Sequence, residues 1–166
     1  AYAKEKLSSW EYDVVGAWYK CNMTDISAAL GISQLDKYDD LLERRRQIIG
    51  KYNAVCDELG VTYLEHITEN SLSSGHLYIT RIPGITPEQR NEIISAMAEK
   101  GVACNVHYKP LPLLTAYRNM GFDMANYPNA YAQFINEITL PLHTQLTDEE
   151  IEYVIDQYKD VLKEYG

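Results

Sequence analysis

Residues 18–35 read WYKCNMTDISAALGISQL, in which a run of polar side chains leads directly into a segment of small residues. Thr24 or Asp25 can cap a helix that begins near Ile26, because a side-chain oxygen accepts hydrogen bonds from the free amides of a first helical turn. The polar residues before this cap are more numerous than one cap requires. Two interpretations therefore stay open: a heavily substituted helix cap, or a helix start directed at an anion.

The composition is typical of a globular protein. The chain has 166 residues, of which 46% are hydrophobic and 23% are charged, so it can form one domain or a large part of a longer protein. The formal net charge of −9 argues against non-specific binding to nucleic acid. The chain contains neither an apolar stretch of membrane-spanning length nor a recognisable signal peptide, and we expect a cytoplasmic protein.

The cysteines and the first residues support further expectations. The three cysteines are widely separated, which favours reduced thiols. Cys104 and His107 form an isolated C-x-x-H without a second pair of ligands, so we expect no metal site. Residues 1–10 (AYAKEKLSSW) lack an initiator Met, and we expect them to continue an upstream segment.

Apolar residues keep a helical spacing from the cap to Leu59. This spacing predicts a long helix over 24–60, either continuous or bent around Asp36–Asp40. Gly60 is the predicted end, because glycine readily adopts the left-handed conformation that closes a helix.

Short strands and helices are predicted downstream of this long helix. Alternating β-branched and aromatic residues predict strands, the first of them short, at VTYLEHI (61–67), HLYITRI (76–82), VACNVHY (102–108) and ITLPLH (138–143). Capping threonines followed by helical spacing predict helices over 86–101 and 146–166, with shorter helices within 109–121 and 126–138. The resulting fold class is α+β, with about three strands and helices packed over them.

A second polar cluster, NVHYKP, occupies Asn105–Pro110. A histidine at a strand end, followed by an aromatic residue, a lysine and a proline turn, is a common arrangement at the edge of a pocket. A half-buried histidine beside an ordinary turn is the alternative. His76, just before another predicted strand, has a similar setting. The chain contains no G-x-S-x-G, P-loop, G-x-G-x-x-G or H-E-x-x-H motif, so we identify no self-sufficient active site.

The same blocks resemble the DegT-type sugar aminotransferases, which depend on pyridoxal phosphate. The resemblance begins with WYKCNMTDISAALGISQLDKYDDLLERRRQIIGKYN at 18–53. It continues, in the order found in that family, with SGHLYITRI (74–82), GVACNVHYKPLPLLTAY (101–117) and ITLPLHTQLTDEEIEYVI (138–155). It covers essentially the whole chain.

This resemblance implies a large aspartate-aminotransferase-like fold of type I and a homodimer. Such enzymes move an amino group, usually from glutamate, to a keto group of a nucleotide-linked sugar, and the products feed surface polysaccharide, lipopolysaccharide or antibiotic sugars. Their cofactor-binding lysine lies upstream of the segment matched here, so the chain resembles a C-terminal part that is inactive alone. The alternative is a non-catalytic regulatory or dimerisation domain derived from the same family.

The resemblance also implies a division of the chain. Residues 1–23 would connect to the large domain and carry the phosphate contact, residues 24–60 would form a linking helix, and residues 61–166 would form the small C-terminal α+β domain.

Individual residues take roles from the same resemblance. Asn22 would contact the cofactor phosphate bound mainly by the partner subunit, with Lys20 and Tyr19 beside it. Some relatives carry Asn at the position of Lys20 and Arg at the position of Asn22, which leaves open which residue meets the phosphate. His107 and Tyr108 would contact the sugar or the nucleotide of the substrate, and His76 is a further candidate on the substrate side.

Overall fold

The computed structural model describes residues 21–165. The chain divides into two compact units, with the boundary in the sequence between Lys37 and Tyr38. The described part of the first unit contains helix α1, Asp25–Leu35. Thr24 is its N-cap, and the Thr24 Oγ1 accepts a hydrogen bond from the Ser27 amide at 3.3 Å. The predicted cap is thereby confirmed at Thr24.

The helical pattern over 24–60 forms two helices. Helix α1 is followed by a turn at Asp36 and Lys37, and helix α2 then runs over Tyr38–Leu59. Gly60, with φ of 66°, follows the last helical residue, as predicted from its conformational freedom.

Helix α2 contributes directly to the core of the second unit. Its buried residues are Ile48, Ile49, Tyr52, Val55 and Cys56. The compact unit therefore begins at Tyr38, within the segment 24–60 that the resemblance assigns to a linking helix. The reason is physical: one face of α2 is apolar, and it is buried with the helices and strands that follow it.

Three short strands form one antiparallel sheet in the order β1-β2-β3. They are β1 (Thr62–Tyr63), β2 (Tyr78–Arg81) and β3 (Glu137–Leu140). Tyr78 and Thr80 alternate onto one face of β2, and their hydroxyls bond with side chains of helices. The Tyr78 hydroxyl donates to Asn53 Oδ1 of α2 at 2.8 Å, and Thr80 Oγ1 lies 3.1 Å from the Tyr158 hydroxyl. This face of the sheet therefore packs on the helices.

The remaining helices follow the predicted order. Their bounds are α3 (Pro87–Glu99), α4 (Thr115–Asn119), α5 (Pro128–Phe134) and α6 (Asp148–Leu162), with 3₁₀ turns at Leu111–Leu113 and Met124–Asn126. Thr86 and Thr147 each form a complete capping box, which fixes the starts of α3 and α6. Helix α6 packs against α2 and α3, and α3 also contacts β3. The predicted α+β class with three strands is confirmed.

The strand predicted over 102–108 was wrong. Only Asn105 pairs with β3, through two backbone hydrogen bonds with Thr139 of 3.1 and 2.7 Å. Two residues further on, the antiparallel register would join the His107 amide to the Glu137 carbonyl. The His107 amide donates instead to the Glu137 carboxylate, at 2.7 Å, and the backbone ladder ends at Asn105. The third strand of the sheet is β1.

Candidate functional site

A cleft of about 230 Å³ lies where residues 103–107, the residues before β2 and the end of β3 meet. It brings together two of the predicted substrate-side residues, His76 and His107. Tyr108, the third, does not line the cleft and is 72% exposed. The lining residues are His76, Leu77, Ala103, Asn105, His107, Thr139, Leu140, Pro141 and Leu142.

His107 is held by two residues of β3. Its Nδ1 lies 3.0 Å from Thr139 Oγ1, and its backbone amide donates to Glu137 Oε1 at 2.7 Å. The Thr139 hydroxyl donates to the same carboxylate oxygen at 3.1 Å. Glu137 and Thr139 lie on the same face of β3, opposite to Ile138, because side chains alternate along a strand. The strand therefore places the carboxylate and the hydroxyl side by side. The result is a hydrogen-bonded chain from a carboxylate through a hydroxyl to an imidazole.

The Glu137 side chain is a buried acid, with an exposed fraction of 1%. Burial raises the pKa of this carboxyl, because removal from water disfavours its charged form. Hydrogen bonds from the His107 amide and the Thr139 hydroxyl, and the positive charge of Arg90, act in the opposite direction. These neighbours therefore offset part of the cost of an ionised carboxylate inside the protein.

Arg90 supports this arrangement from helix α3. It is 4% exposed, and its Nη1 donates to the Phe134 carbonyl at 2.8 Å and to the Glu137 carbonyl at 3.4 Å. The guanidinium also lies over the Phe134 ring, 4.9 Å from its centroid. Arg90 thus connects the start of α3 to the chain that enters β3.

A pH dependence follows from the raised pKa of Glu137. The pKa of Glu137 is higher in the folded protein than in the unfolded chain, where it is about 4.3. The folded state therefore loses stability as the pH rises from the unfolded value through the folded one. The variant Glu137→Gln lacks this titration. We expect its free energy of unfolding to rise, relative to the unmodified protein, as the pH increases from about 4 towards neutrality. Urea denaturation across this range measures the difference, and parallel pH profiles would contradict it.

His76 lines a second cleft as well as the first. This second cleft has a volume of about 310 Å³ and lies between the start of α2 and the loop before β2. His76 therefore stands where the two clefts approach each other. The other lining residues are Tyr38, Leu41, Leu42, Arg45, Ser74 and Thr144.

The predicted phosphate contact falls only partly within the described residues. Asn22 is exposed and lies two residues before the N-cap Thr24. Its carboxamide and the first-turn amides of α1 are hydrogen-bond donors that suit a phosphate, although Asp25 adds a negative charge to the same turn. The donor set therefore fits an anionic group. Lys20 and Tyr19, predicted beside Asn22, lie outside the described residues.

Cys104, which forms with His107 an isolated pair of ligand types, is half-buried. Burial raises the pKa of its thiol to about 12, which disfavours the thiolate. Over residues 21–165, the structure contains no group of three or more His, Cys, Asp or Glu residues that could hold a metal ion. Over the same residues, no helix combines the length and the apolar character that crossing a bilayer requires.

Glu137, Thr139 and Arg90 were missed in the sequence. The segment EITL at 137–140 alternates polar and apolar residues, which is the signal of a strand with two different faces. Arg90 precedes the buried Ile93 and Met97 by three and seven residues, which places it on the buried face of α3. Both patterns were present, but the partner of each residue depends on the tertiary register.

Comparison with known proteins gives consistent results. The family model of the DegT/DnrJ/EryC1/StrS aminotransferase family matches residues 2–159. The spore coat polysaccharide biosynthesis protein SpsC of Bacillus subtilis is 30% identical over 161 residues, which cover 93% of this chain and 41% of SpsC. The UDP-4-amino-4,6-dideoxy-N-acetyl-beta-L-altrosamine transaminase of Campylobacter jejuni (serotype O:2) is 28% identical and covers 95% of this chain and 42% of that enzyme.

A solved structure is more similar still. Spr1654 of Streptococcus pneumoniae, assigned as a sugar aminotransferase, is 57% identical in its PLP form, with a TM-score of 0.85. The match covers 95% of this chain and 40% of Spr1654. Spr1654 has also been solved in apo and PMP forms. The chain spans about two fifths of the length of each of these relatives.

Proposed function

Because this chain belongs to the DegT/DnrJ/EryC1/StrS aminotransferase family, we propose that the whole protein is a sugar aminotransferase that uses pyridoxal 5′-phosphate. It moves an amino group, with glutamate as the donor, to a keto group of a nucleotide-linked sugar. Residues 61–166 belong to the small C-terminal domain of this enzyme, and residues 1–23 connect to its large domain. The chain alone is inactive, because the lysine that binds the cofactor belongs to the large domain.

The observation that carries this proposal is the similarity to Spr1654, at 57% identity, in a structure of its PLP form. The names of two other relatives support the substrate class. The C. jejuni enzyme acts on a UDP-linked amino sugar, and SpsC serves polysaccharide biosynthesis. A role in building surface polysaccharide or lipopolysaccharide is consistent with both names.

The start of α1 is the proposed phosphate contact. When bound, the cofactor supplies an electron sink for the bonds that change at the amino-bearing carbon. Asn22 donates its carboxamide N–H to the cofactor phosphate, with Lys20 and Tyr19 as neighbours. The protein supplies binding and orientation at this place, and a helix start provides donors without requiring a rearrangement.

A homodimer is part of the same proposal. In helix α1 the side chains of Ile26, Leu30, Ile32 and Leu35 are all more than 60% exposed in the described structure. An apolar helix surface of this kind is covered in most stable proteins. Its burial in the whole dimer is consistent with Asn22 reaching the cofactor of the partner subunit.

On the substrate side, His107 and His76 are the proposed contacts to the nucleotide sugar. They line one cleft, and the Glu137–Thr139 chain orients the His107 ring. Tyr108, with its ring edge-on to His107 at 4.7 Å between centroids, is exposed and available to a ligand outside the cleft.

Replacing Asn22 by alanine tests the cofactor assignment. We expect Asn22→Ala in the full-length protein to weaken retention of pyridoxal phosphate by about tenfold, which is the effect of one lost hydrogen bond to a charged group. Asn22→Asp should have a larger effect, because it brings a negative charge to the phosphate. Cofactor occupancy after dialysis, followed by its visible absorbance, gives the measurement.

Asn70→Ala, which changes an exposed asparagine in a loop far along the chain, is the matched control and should retain the cofactor normally. Equal occupancy in Asn22→Asp and Asn70→Ala would remove the proposed role of Asn22. An assay of amino transfer from glutamate to UDP-linked keto sugars tests the activity itself. A folded dimer that neither binds the cofactor nor transfers an amino group would favour the regulatory or dimerisation alternative.

A further inference from the structure

The Thr139 hydroxyl has a single proton, which it can donate to only one of its neighbours at a time. Thr139 Oγ1 contacts two groups, the Glu137 carboxylate at 3.1 Å and His107 Nδ1 at 3.0 Å. An ionised carboxylate can only accept hydrogen bonds, so the hydroxyl proton points to Glu137. The hydroxyl oxygen is then left to accept, and its remaining neighbour, His107 Nδ1, has to donate.

This donation fixes the state of the imidazole. A neutral histidine carries one ring proton, and the hydrogen bond made by one nitrogen decides the role of the other. If Nδ1 carries the proton, Nε2 has an unshared electron pair and acts as an acceptor. Among the hydrogen bonds of residues 21–165 the His107 ring takes part only through Nδ1, so Nε2 is accessible to water or to a ligand.

We infer that Glu137 and Thr139 are positioning residues that hold His107 as the Nδ1–H tautomer, so that Nε2 accepts a hydrogen bond from a donor group of the ligand. The matching donors are a hydroxyl or an amine of the sugar. A nucleotide phosphate offers only acceptor oxygens at neutral pH, so it does not pair with a neutral Nε2. The inference rests on the proposed function for the identity of the ligand, but not for the tautomer.

The contact network gives this inference a rigid basis. Thr139 and Glu137 are both buried, on one face of β3, and the backbone of Thr139 is paired with Asn105 on the same segment that carries His107. Backbone pairing therefore fixes the strand that carries Glu137 and Thr139 and the residue two positions before His107. Arg90 holds the Glu137 carbonyl from α3 and is the charged neighbour that favours the ionised carboxylate.

The first test observes the tautomer directly. The full-length protein, labelled with ¹⁵N in its histidine rings, is examined by NMR above the pH at which imidazole ionises, and His107→Gln assigns the His107 signals. We expect the His107 signals to show a protonated Nδ1 and an unprotonated Nε2. Thr139→Val, which keeps the shape and removes the hydroxyl, should shift the tautomer equilibrium, whereas Thr139→Ser should preserve it. An Nε2–H tautomer, or a Thr139→Val protein with unchanged signals, would overturn the inference.

The second test addresses the ligand. UDP and UDP-N-acetylglucosamine are the probes, in binding titrations with the full-length protein and the same two variants. Thr139→Val should bind UDP-N-acetylglucosamine about tenfold more weakly, which corresponds to one hydrogen bond, and should bind UDP normally. Thr139→Ser should match the unmodified protein with both probes. An equal loss for UDP would refute the assignment to the sugar. Failure of the unmodified protein to bind either probe would count against the proposed function, while the tautomer result would stand by itself.

Discussion

Ile93→Ala is expected to lower the free energy of unfolding by about 3 kcal/mol, within the usual range for isoleucine truncated in a packed core. Ile93 has no exposed surface, and it lies on the face of α3 that packs against α6 and β3. Truncation removes apolar contacts and leaves a cavity that a closely packed interior fills only in part. Urea denaturation of the protein and its variant measures the loss.

The adjacent residue provides the control. Ile94 lies in the same helix but is only partly buried at the edge of the core. Ile94→Ala causes the same change in helix propensity, so the difference between the two variants reports burial alone. We expect the loss for Ile94→Ala to be about 1 kcal/mol or less. Equal losses in the two variants would show that Ile93 does not occupy the centre of the core.

Local signals predicted the starts of α1, α3 and α6 and the end of α2. Thr24, Thr86 and Thr147 each cap a helix, and Gly60 follows the end of α2 in the left-handed conformation. These features depend on residues within about four positions of one another, which is why the sequence alone was sufficient. The turn at 36–37 was anticipated as one of two alternatives, since apolar spacing alone does not distinguish a bend from a break.

The strand at 102–108 shows where such reasoning fails. Its alternating residues suit a strand, but pairing requires a partner edge with free backbone groups. On β3, the Glu137 carboxylate accepts the hydrogen bond from the His107 amide that the Glu137 carbonyl would accept in a continuous ladder. Both acceptors, the carboxylate and the carbonyl of Glu137, lie 30 residues from His107 in the sequence. Local sequence patterns therefore do not show which of them accepts the hydrogen bond.

The candidate site was predicted in the same partial way. His76 and His107 were recognised from their positions beside predicted strands, and the structure places both in one cleft. The residues that orient His107 were not recognised, because the contact of Thr139 with its ring depends on the pairing of Thr139 with Asn105. The contact of Asn22 with a phosphate stays a prediction.

Arg90 connects the stability of the core to the geometry of the site. It belongs to the buried face of α3 together with Ile93 and Met97, yet it ends in a charged group. A buried cation is favourable only where acceptors and opposite charge surround it. The carbonyls of Phe134 and Glu137 supply the acceptors, and the Glu137 carboxylate supplies the charge. The same guanidinium thus favours the ionised form on which the proposed His107 tautomer depends.

Arg90→Met should therefore be among the most destabilising single substitutions, with a loss of about 3 kcal/mol at neutral pH. It keeps much of the apolar volume, but two carbonyls lose their donor and Glu137 loses its positive neighbour. Because the Arg90 charge lowers the pKa of Glu137, its removal raises that pKa further, and the loss should shrink as pH falls below the ordinary carboxyl range. Urea denaturation at neutral and acidic pH measures both quantities.

The double variant Arg90→Met/Glu137→Gln separates the charge effect from the packing effect. If the Glu137 carboxylate accounts for part of the loss, neutralising it in the Arg90→Met background should recover that part, and the two substitutions should be non-additive. Arg118→Met, at an exposed arginine of α4, is the control and should change stability by less than about 0.5 kcal/mol. Strict additivity, together with a loss independent of pH, would mean that Arg90 acts through its hydrogen bonds and packing and not through the charge of Glu137. The ionisation of Glu137 would then have to be maintained by the His107 amide and the Thr139 hydroxyl alone.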